Sequence, residues 1–600
     1  MIVKEKLRSE IDNKYKWNLN TMYNSDEAWE SDYEYIKNKL TLVDNYKNNI
    51  TSSSDTLLEF LKYYLDLDRI YVRLYVYTHL RYYEDVTNEK YNEMKNKIEI
   101  ITKEINTTFS FVDSELLKTD YSIIKKYVEE KEELKEYEFY LEKTYRYQEH
   151  TLNENEEKMI AYLNDLNNRF KRTYQVMKNS EIKFGTIKDE NGKKIILTNG
   201  NVSKYLMSND RSVRKDAYTK LYKGFEKLNG TISSNFIGHL NVDSMISKEK
   251  KYHTTLDRYL FPDKINDTIY NNLISVVNDN LDSLKKYYKL IKKVLGVNTL
   301  QAYDTSAPLS KNYEKEFSYE TAEKIILDGL NILGKEYNEI LQKAFQERWI
   351  DVYSNKGKLD SIYSWSTYKC NPVVSLNYKN NFDSVSALAH ELGHAVHSYL
   401  ADRNNPYHYA DYKIIIAEVA SLTNEILLSQ YMIENSDSKD EKLSILNNLI
   451  NLYSANFFGS LKGAEFERIV HEKSDNNEPL TKDILNNIYN ELMNKYSSGI
   501  VKEHKLQKYG WSRINHFYSS FYYYKYAFGI CCATFVANKI LTGDKDILDK
   551  YINFLKLGDS IYPIDALKVL GIDMNDKKIL EETIKFFDSK VLEFENIYNS

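Results

Sequence analysis

Two histidines and a glutamate in the C-terminal half of the chain have the spacing of a metal site. The segment reads His390-Glu391-x-x-His394. Residues four apart on a helix lie one turn apart on the same face, so both imidazoles could bind one zinc ion. Glu391 follows the first histidine directly and could act as general base towards a water at that zinc. The alternative is a surface helix with two solvated histidines.

The third ligand of such a site must come from elsewhere, because a catalytic zinc needs three protein ligands and one open position. A third histidine six residues after the second is absent, since Leu400 stands there. Glu418, 418 − 394 = 24 residues beyond His394, lies in the apolar run 414–425. An ionised carboxylate among apolar residues needs a partner, and a metal is a suitable one. Glu418 is therefore the candidate third ligand, with a salt bridge as the alternative.

Glu425 lies two helical turns beyond Glu418 and on about the same face. It could hydrogen-bond a histidine ligand and orient its ring. An ordinary carboxylate on a helix surface is an equally consistent interpretation.

The residues around the motif predict a helix over 384–400. Apolar residues recur there with helical rather than alternating spacing, and Ser384 or Ser386 could cap its start. Gly393 is a poor helix former, which is tolerable where another backbone packs closely. Residues 373–378 read as a strand just before this helix. We expect residues 372–378 to be an edge strand that pairs with an extended substrate; a core strand is the alternative.

The composition limits the class of protein. Of the 600 residues, 42% are hydrophobic, which suffices for a large core. With 82 basic and 88 acidic residues, the net charge of −6 argues against general nucleic-acid binding. The 19 glycines and 6 prolines leave few linkers, so we expect few, large, helix-rich domains.

The cysteines and apolar segments bear on location. Three cysteines, at 370, 531 and 532, make no disulfide framework and fit a reducing compartment. Residues 1–17 are charged and lack the apolar core of a secretory signal. The most apolar run, 526–537, is too short to span a bilayer. We therefore expect a cytoplasmic protein that does not bind membranes.

Helical periodicity extends over most of the chain. Asn191-Gly192 lies between two extended runs and predicts a β-hairpin at 183–198, a natural domain boundary. The predicted helices are 57–83, 89–111, 117–138, 154–177, 202–206, 210–228, 231–248, 266–295, 442–471 and 482–496.

The block from 382 to 425 resembles the oligoendopeptidase F family of thimet oligopeptidase-like zinc metallopeptidases, and the resemblance covers nearly the whole chain. The segments that carry it are Leu388-Ala389-His390-Glu391-Leu392-Gly393-His394, Ala417-Glu418-Val419-Ala420-Ser421, Trp17-Asn18-Leu19, Tyr23, Ser25-Asp26-Glu27-Ala28-Trp29, Leu197-Thr198-Asn199-Gly200-Asn201, 208–217 and 516–529.

This resemblance implies a mainly α, two-lobed, zincin-type peptidase with a small β-sheet beside the motif helix and a deep central channel. Residues 1–200 would form an N-terminal helical domain, and residues 201–600 the catalytic domain. The implied cofactor is one Zn²⁺ per chain, and the implied partners are short peptide substrates. Ser366 and Lys369-Cys370-Asn371 depart from the Gly- and His-containing family sequence before the strand, which leaves side-chain preference open.

The resemblance also assigns His516, Tyr522 and Tyr526 to substrate binding and oxyanion stabilisation. Tyr522 and Tyr526 are four apart, which would place them on one helical face. An added donor to the oxyanion is worth roughly 2.7–4 kcal/mol in rate. Tyr518, Tyr523 and Tyr524 are close enough for a different register, and an aromatic core stripe is the alternative.

The sequence thus predicts a zinc metalloendopeptidase, an oligopeptidase in which Glu391 is the general base. A zinc carboxypeptidase or aminopeptidase is the first alternative, and a non-catalytic peptide-binding protein is the second.

Overall fold

The computed structural model describes residues 6–310 and 315–600. Most of them are helical, and the strands are few and short. Within those residues, no helix is both long and apolar enough to cross a lipid bilayer.

The α-helices, in chain order, are α1 (Asp26–Leu40), α2 (Ser54–Glu84), α3 (Glu89–Thr108), α4 (Val112–Leu116), α5 (Tyr121–Glu130), α6 (Glu138–Tyr145), α7 (Glu154–Val176), α8 (Val202–Leu206), α9 (Arg211–Glu249), α10 (Thr255–Leu260), α11 (Asp267–Asp279), α12 (Asp282–Val294), α13 (Tyr319–Gly329), α14 (Lys335–Gln346), α15 (Phe382–Asn404), α16 (Ile414–Glu434), α17 (Lys439–Tyr453), α18 (Ser460–Asp475), α19 (Lys482–Tyr496), α20 (Tyr524–Leu541), α21 (Lys545–Lys556), α22 (Pro563–Val569) and α23 (Lys577–Asn599). The strands are β1 (Thr186–Lys188), β2 (Lys194–Ile196), β3 (Leu300–Gln301), β4 (Ile350–Asp351), β5 (Tyr363–Trp365), β6 (Val373–Ser375) and β7 (Val501–Lys502). Short 3-10 helices at Gln507–Arg513 and Asn515–Tyr518 precede α20.

The chain forms two compact units, each built from three separate segments. The first unit comprises Met1–Glu154, Lys315–Leu428 and Val536–Gly571. The second comprises Asn155–Glu314, Ser429–Phe535 and Ile572–Ser600. The division at residue 200 into a helical and a catalytic domain remains a prediction about which part of the sequence carries catalysis.

The first unit holds the helices α1–α6, α13–α15, α21 and α22, most of α16, and a three-stranded sheet. The sheet order is β4-β6-β5, with β4 parallel and β5 antiparallel to β6. One aromatic-rich core packs α1, α2 and α3 together with Cys370 and Val373 next to the sheet. This core fixes the sheet beside α15, which contacts both β5 and β6.

The sheet order overturns the prediction that residues 372–378 are an edge strand. β6 lies between β4 and β5, and the backbone of Val374, Leu376 and Tyr378 donates to carbonyls of residues 349–352. Both edges of β6 are therefore paired within the protein. Among the described residues, β5 forms one edge of this sheet and has a neighbouring strand on one side only.

The second unit surrounds the long helix α9, which contacts α18 and α19. Two helices were expected over 210–248, but α9 runs unbroken through Gly230. Nothing lies within 4 Å of where a Cβ at Gly230 would be, so this glycine serves no packing contact there. Conversely, the expected helix 266–295 is divided into α11 and α12 at Asn280.

Other local predictions are confirmed. The hairpin forms with β1 antiparallel to β2 around Asn191-Gly192, and Gly192 has a φ of 76°, a left-handed conformation that favours glycine. α8 and α19 have the predicted bounds. The run 442–471 is helical, but a π-helical segment at Ser454–Gly459 separates α17 from α18.

Candidate active site

The motif helix α15 begins earlier than predicted, and its cap is Asn381 rather than Ser384 or Ser386. The Asn381 side chain accepts a hydrogen bond from the backbone N–H of Ser384 at 3.0 Å. This hydrogen bond satisfies a backbone N–H in the first turn, which has no partner within the helix, and fixes the residue at which the helix begins. The two histidines of the motif follow in the third and fourth turns of α15.

Helix α16 crosses α15 at unusually short range, and Gly393 makes this approach possible. A Cβ on Gly393 would lie 2.6 Å from Cα of Ser421 and 2.8 Å from the carbonyl oxygen of Ala420. The Asn424 side chain adds a hydrogen bond to the carbonyl of Ala389 at 3.0 Å. Backbone contact at this glycine therefore places the side chains of α16 beside the two histidines.

The structure brings His390, His394 and Glu418 together as a candidate metal centre. Their ligand atoms lie within 4.8 Å of one another, the only such group of three among the residues described. Oε2 of Glu418 is 3.4 Å from Nε2 of His390 and 3.8 Å from Nε2 of His394. Two imidazole nitrogens and one carboxylate oxygen are a donor set that fits zinc.

Hydrogen bonds fix the orientation of these three side chains. Nδ1 of His390 is 2.7 Å from Oε1 of Glu425, the contact expected from the sequence. The other oxygen of Glu425 accepts from the Ser386 hydroxyl at 2.7 Å. Ser421 donates to Oε2 of Glu418 at 2.9 Å. A carboxylate at Nδ1 keeps the proton there and directs Nε2 of His390 towards Glu418.

The pKa values of the two histidines diverge because of their different neighbours. Burial opposes protonation of His390, but the hydrogen bond and charge of Glu425, with Glu418 and Glu391, raise its pKa to about 9. Burial and the charge of His390 lower the pKa of His394 to about 4. The site thus concentrates negative charge around His390, which favours a cation.

Glu391 is buried, only 7% exposed, beside this cluster. Burial raises its pKa to about 7, with the charge of His390 opposing the shift and Glu418 and Glu425 adding to it. The backbone N–H of Ser364 in β5 donates to the Glu391 carboxylate. A carboxyl with a pKa near neutrality can both accept and return a proton, as a general base requires.

Sequence inspection missed the contacts that support the second histidine. Tyr412 donates to the backbone carbonyl of His394 at 3.4 Å and lies 3.1 Å from the Ser398 hydroxyl. Its ring stacks on His397 with centroids 3.6 Å apart. His397 is fully buried, and neither ring nitrogen has a hydrogen-bond partner in the described part of the chain. No local pattern could have paired Tyr412 with this turn.

The other three predicted site residues lie in the second unit, where the structure brings them together. Oη of Tyr526 is 3.2 Å from Nε2 of His516. Ring centroids are 5.8 Å apart for His516 and Tyr522, and 5.5 Å apart for Tyr522 and Tyr526. Burial, with the charges of Lys178 and Lys171, lowers the pKa of His516, which favours a neutral imidazole.

The expectation that Tyr522 and Tyr526 share a helical face was wrong, because α20 begins only at Tyr524. Tyr522 approaches Tyr526 from the preceding turn. The five tyrosines of this segment differ in their exposure to solvent. Tyr518 and Tyr524 are buried, whereas Tyr522, Tyr523 and Tyr526 are partly exposed. Tyr518 is engaged by the side chain of Asn235 at 3.0 Å.

Glu467 of α18 is a further residue that sequence analysis missed. Oε1 of its fully buried carboxyl accepts a hydrogen bond from the backbone N–H of Phe521 at 2.9 Å, whereas Oε2 has no hydrogen-bond partner among the described residues. Phe521 has a φ of 55°, so this turn is held in a conformation unusual for a residue other than glycine. Phe521 directly precedes Tyr522, so this hydrogen bond holds the turn next to the Tyr522 side chain. A buried glutamate 55 residues upstream (522 − 467) offered no local signal of this contact.

The chain is similar in sequence to known proteins and matches two protein-family models. Residues 204–586 match the model of Peptidase family M3, and residues 115–184 match that of Oligopeptidase F. The chain is 36% identical over 593 residues to oligopeptidase PepF of Bacillus subtilis, covering 98% of this chain and 88% of that protein. It is 32% identical to group B oligopeptidase PepB of Streptococcus agalactiae, covering 98% of each chain.

A solved structure is similar over a comparable length. The crystal structure of oligoendopeptidase-F from Enterococcus faecium superposes with a TM-score of 0.75 at 26% identity, covering 96% of this chain and 99% of that one.

Proposed function

The chain belongs to peptidase family M3 and is a metallopeptidase that hydrolyses peptides, and on that premise we propose that it is a zinc-dependent endopeptidase of short oligopeptides. The observation that supports this most directly is the His390, His394 and Glu418 cluster, with ligand atoms within 4.8 Å and the carboxyl of Glu391 alongside. The names of its relatives, oligopeptidase PepF and oligoendopeptidase F, agree with short peptide substrates.

In this proposal, His390, His394 and Glu418 hold the zinc. When bound, zinc supplies Lewis-acid polarisation of the scissile carbonyl and activation of a water. Glu425 orients His390, and Ser421 orients Glu418, so the donor atoms stay directed at one point. The backbone at Gly393 sets the distance between α15 and α16, and therefore between the histidines and Glu418.

Glu391 is the proposed general base. Its carboxyl takes the proton of the attacking water and later delivers it to the leaving amine. The raised pKa, about 7, suits both steps near neutral pH. The N–H of Ser364 limits rotation of the carboxyl and leaves its other lone pairs for the water.

His516 and a tyrosine, Tyr522 or Tyr526, are the proposed donors to the oxyanion. The 3.2 Å contact between Tyr526 and His516 couples the two side chains, so that one can hold the other in place. Donors directed at the charge that develops on the carbonyl oxygen lower the barrier.

The test is cleavage of an internally quenched peptide blocked at both termini. Wild type should cut it internally and contain about one zinc per chain. Glu391→Gln should retain zinc and lose at least about a hundredfold in kcat. Glu434→Gln, at the exposed end of α16, is the matched control and should behave as wild type.

Two outcomes would redirect the assignment. Zinc without cleavage of any blocked peptide, but with cleavage of free-ended ones, would favour a carboxypeptidase or aminopeptidase. A wild-type protein that binds zinc at none of these residues and cuts neither kind of peptide would favour a peptide-binding protein.

A further inference from the structure

A cleft of about 350 Å³ opens in the first unit beside strand β5. Its lining residues are Tyr83, Leu359, Ser361, Tyr363, Ser364 and Trp365. None of these six side chains carries a charge. Tyr83 comes from α2, and the other five come from β5 and the segment that leads into it.

Three of the six lining residues, Tyr363, Ser364 and Trp365, make up the whole of β5. Ser364 is opposite Val374 of β6 in the antiparallel register. Its N–H reaches Glu391 and therefore points away from β6. In an antiparallel ladder the N–H and C=O of one residue point to the same side, so the Ser364 carbonyl also faces outward. The cleft thus adjoins a strand edge that already contacts the proposed base.

The walls of the cleft are aromatic and held in place by further rings. Tyr75, His79 and Tyr83 recur every four residues along one face of α2. The ring of Trp365 lies 6.1 Å from that of Tyr75 and 6.2 Å from that of His79. Tyr83 and Tyr363 are 6.1 Å apart at an interplanar angle of 74°. These edge contacts fix the walls in geometries favourable for aromatic rings.

The polar groups in the cleft are hydroxyls. Oγ of Ser361 and Oγ of Ser364 have no hydrogen-bond partner among the described residues. Both oxygens are buried, so the lining offers a ligand neither an exposed serine hydroxyl nor a counter-charge. A lysine or aspartate side chain placed there would lose hydration without gaining an ionic partner, whereas an aromatic or large aliphatic one would bury apolar surface.

We propose that this cleft is the subsite for a large apolar or aromatic side chain of the peptide substrate, close to the bond that is cut. The proposal rests on the proposed function, because a peptide that pairs with the outer edge of β5 would pass Glu391. Side chains alternate along an extended peptide, so every second one would point towards α2 and meet Tyr83 and Trp365. Those two residues then determine specificity at one substrate position.

The experiment uses blocked peptides that differ at single positions, with Phe, Leu, Ala, Lys or Asp in each. Wild type should prefer Phe and Leu to Ala, Lys and Asp by at least tenfold in kcat/KM at one position near the cut. Trp365→Ala and Tyr83→Ala should reduce the Phe-to-Ala ratio at that position by about tenfold.

Matched variants separate the subsite from general damage. Tyr82→Ala removes the neighbouring ring of α2, which does not line the cleft, and should leave the ratio unchanged. Ser361→Asp places a charge in the cleft and should raise the Lys-to-Phe ratio at the same position. Unchanged ratios in Trp365→Ala, Tyr83→Ala and Ser361→Asp, all folded and active, would overturn the proposal.

A binding measurement keeps the subsite testable if cleavage fails. Equilibrium binding of the Phe and Ala peptides to Glu391→Gln should differ by at least tenfold in Kd, and Trp365→Ala in that background should remove the difference. Equal Kd values for both peptides would reject the subsite. If the Phe and Ala peptides bind with different Kd values but wild type cuts neither, the endopeptidase assignment is rejected. The subsite proposal is then still supported.

Discussion

Glu425 accepts a hydrogen bond from Nδ1 of His390 at 2.7 Å, which ties the first histidine of the motif to the neighbouring helix α16. The second oxygen of Glu425 is taken by Ser386, one turn before His390 on α15. Both oxygens of the Glu425 carboxylate therefore bond to side chains of α15. This contact fixes the orientation of the His390 ring and keeps a proton on Nδ1, which reduces the cost of forming the site.

Removal of the Glu425 carboxylate should weaken zinc binding. Glu425→Gln is expected to lower zinc affinity by about 10–100-fold, because the histidine loses its charged partner. Competition with a chromophoric chelator measures this change. Ser386→Ala is the control, since it removes only the bond to the oxygen that does not contact His390. Unchanged affinity in Glu425→Gln would mean that the hydrogen bond has no part in metal binding.

Conservative substitutions should identify the oxyanion donor. Tyr522→Phe or Tyr526→Phe is expected to lower kcat by about 10²–10³ with little change in KM, because the lost hydroxyl acts mainly in the transition state. Steady-state kinetics on a blocked peptide decides between them. Tyr524→Phe is the matched control, since its buried hydroxyl has no hydrogen-bond partner among the described residues. If neither substitution lowers kcat, neither phenol is the donor.

The close approach at Gly393 predicts a large effect of one added methyl group. Gly393→Ala should destabilise the protein by about 1–3 kcal/mol, because its Cβ would meet the backbone of Ala420 and Ser421. Separation of α15 from α16 would also move Glu418 away and weaken zinc binding.

Gly230→Ala is the control for that substitution. This glycine is also inside a helix, α9, but its Cβ would meet open space. The substitution should be neutral or stabilising by up to about 1 kcal/mol. Thermal unfolding and zinc titration of both variants provide the comparison. Equal stability and equal zinc affinity in the two variants would refute the steric explanation.

A buried histidine far from the motif in sequence predicts how stability depends on pH. His471 of α18 is 1% exposed, and burial lowers its pKa to about 4; the charge of Asp243 opposes this shift, and His239 adds to it. Between pH 6.5 and 4 the unfolded chain binds a proton at this position that the folded chain does not. The free energy of unfolding therefore falls as the pH is lowered, by about 1.4 kcal/mol per pH unit at this site.

His471→Gln removes this dependence. Its stability relative to wild type should improve by about 2 kcal/mol between pH 7 and pH 5, whatever the difference at pH 7. Urea unfolding at the two pH values measures the change. Parallel pH dependences in the two proteins would show that His471 takes up its proton at the same pH in the folded and the unfolded chain, which contradicts the prediction.

The sequence by itself determined the features that depend on neighbours along the chain. Helical spacing placed His390 and His394 on one face with Glu391 beside them, because four residues make about one turn. Asn191-Gly192 marked the hairpin, since Gly192 readily adopts the positive φ of 76° that this turn requires. Apolar periodicity located most helices, although it divided α9 at Gly230 and could not detect the division between α11 and α12.

Only the tertiary structure decided what depends on contacts between distant segments. Glu418 was a candidate because of its apolar surroundings, but its distance from the histidines follows from the crossing of α15 and α16 at Gly393. Among the described residues, β5 lies at an edge of the sheet and the segment 372–378 does not, because strand order depends on pairing partners and not on the residues within a strand. The backbone contacts of Ser364, Tyr412 and Glu467 leave no periodic trace in the sequence, since each joins a single side chain or amide to a remote one.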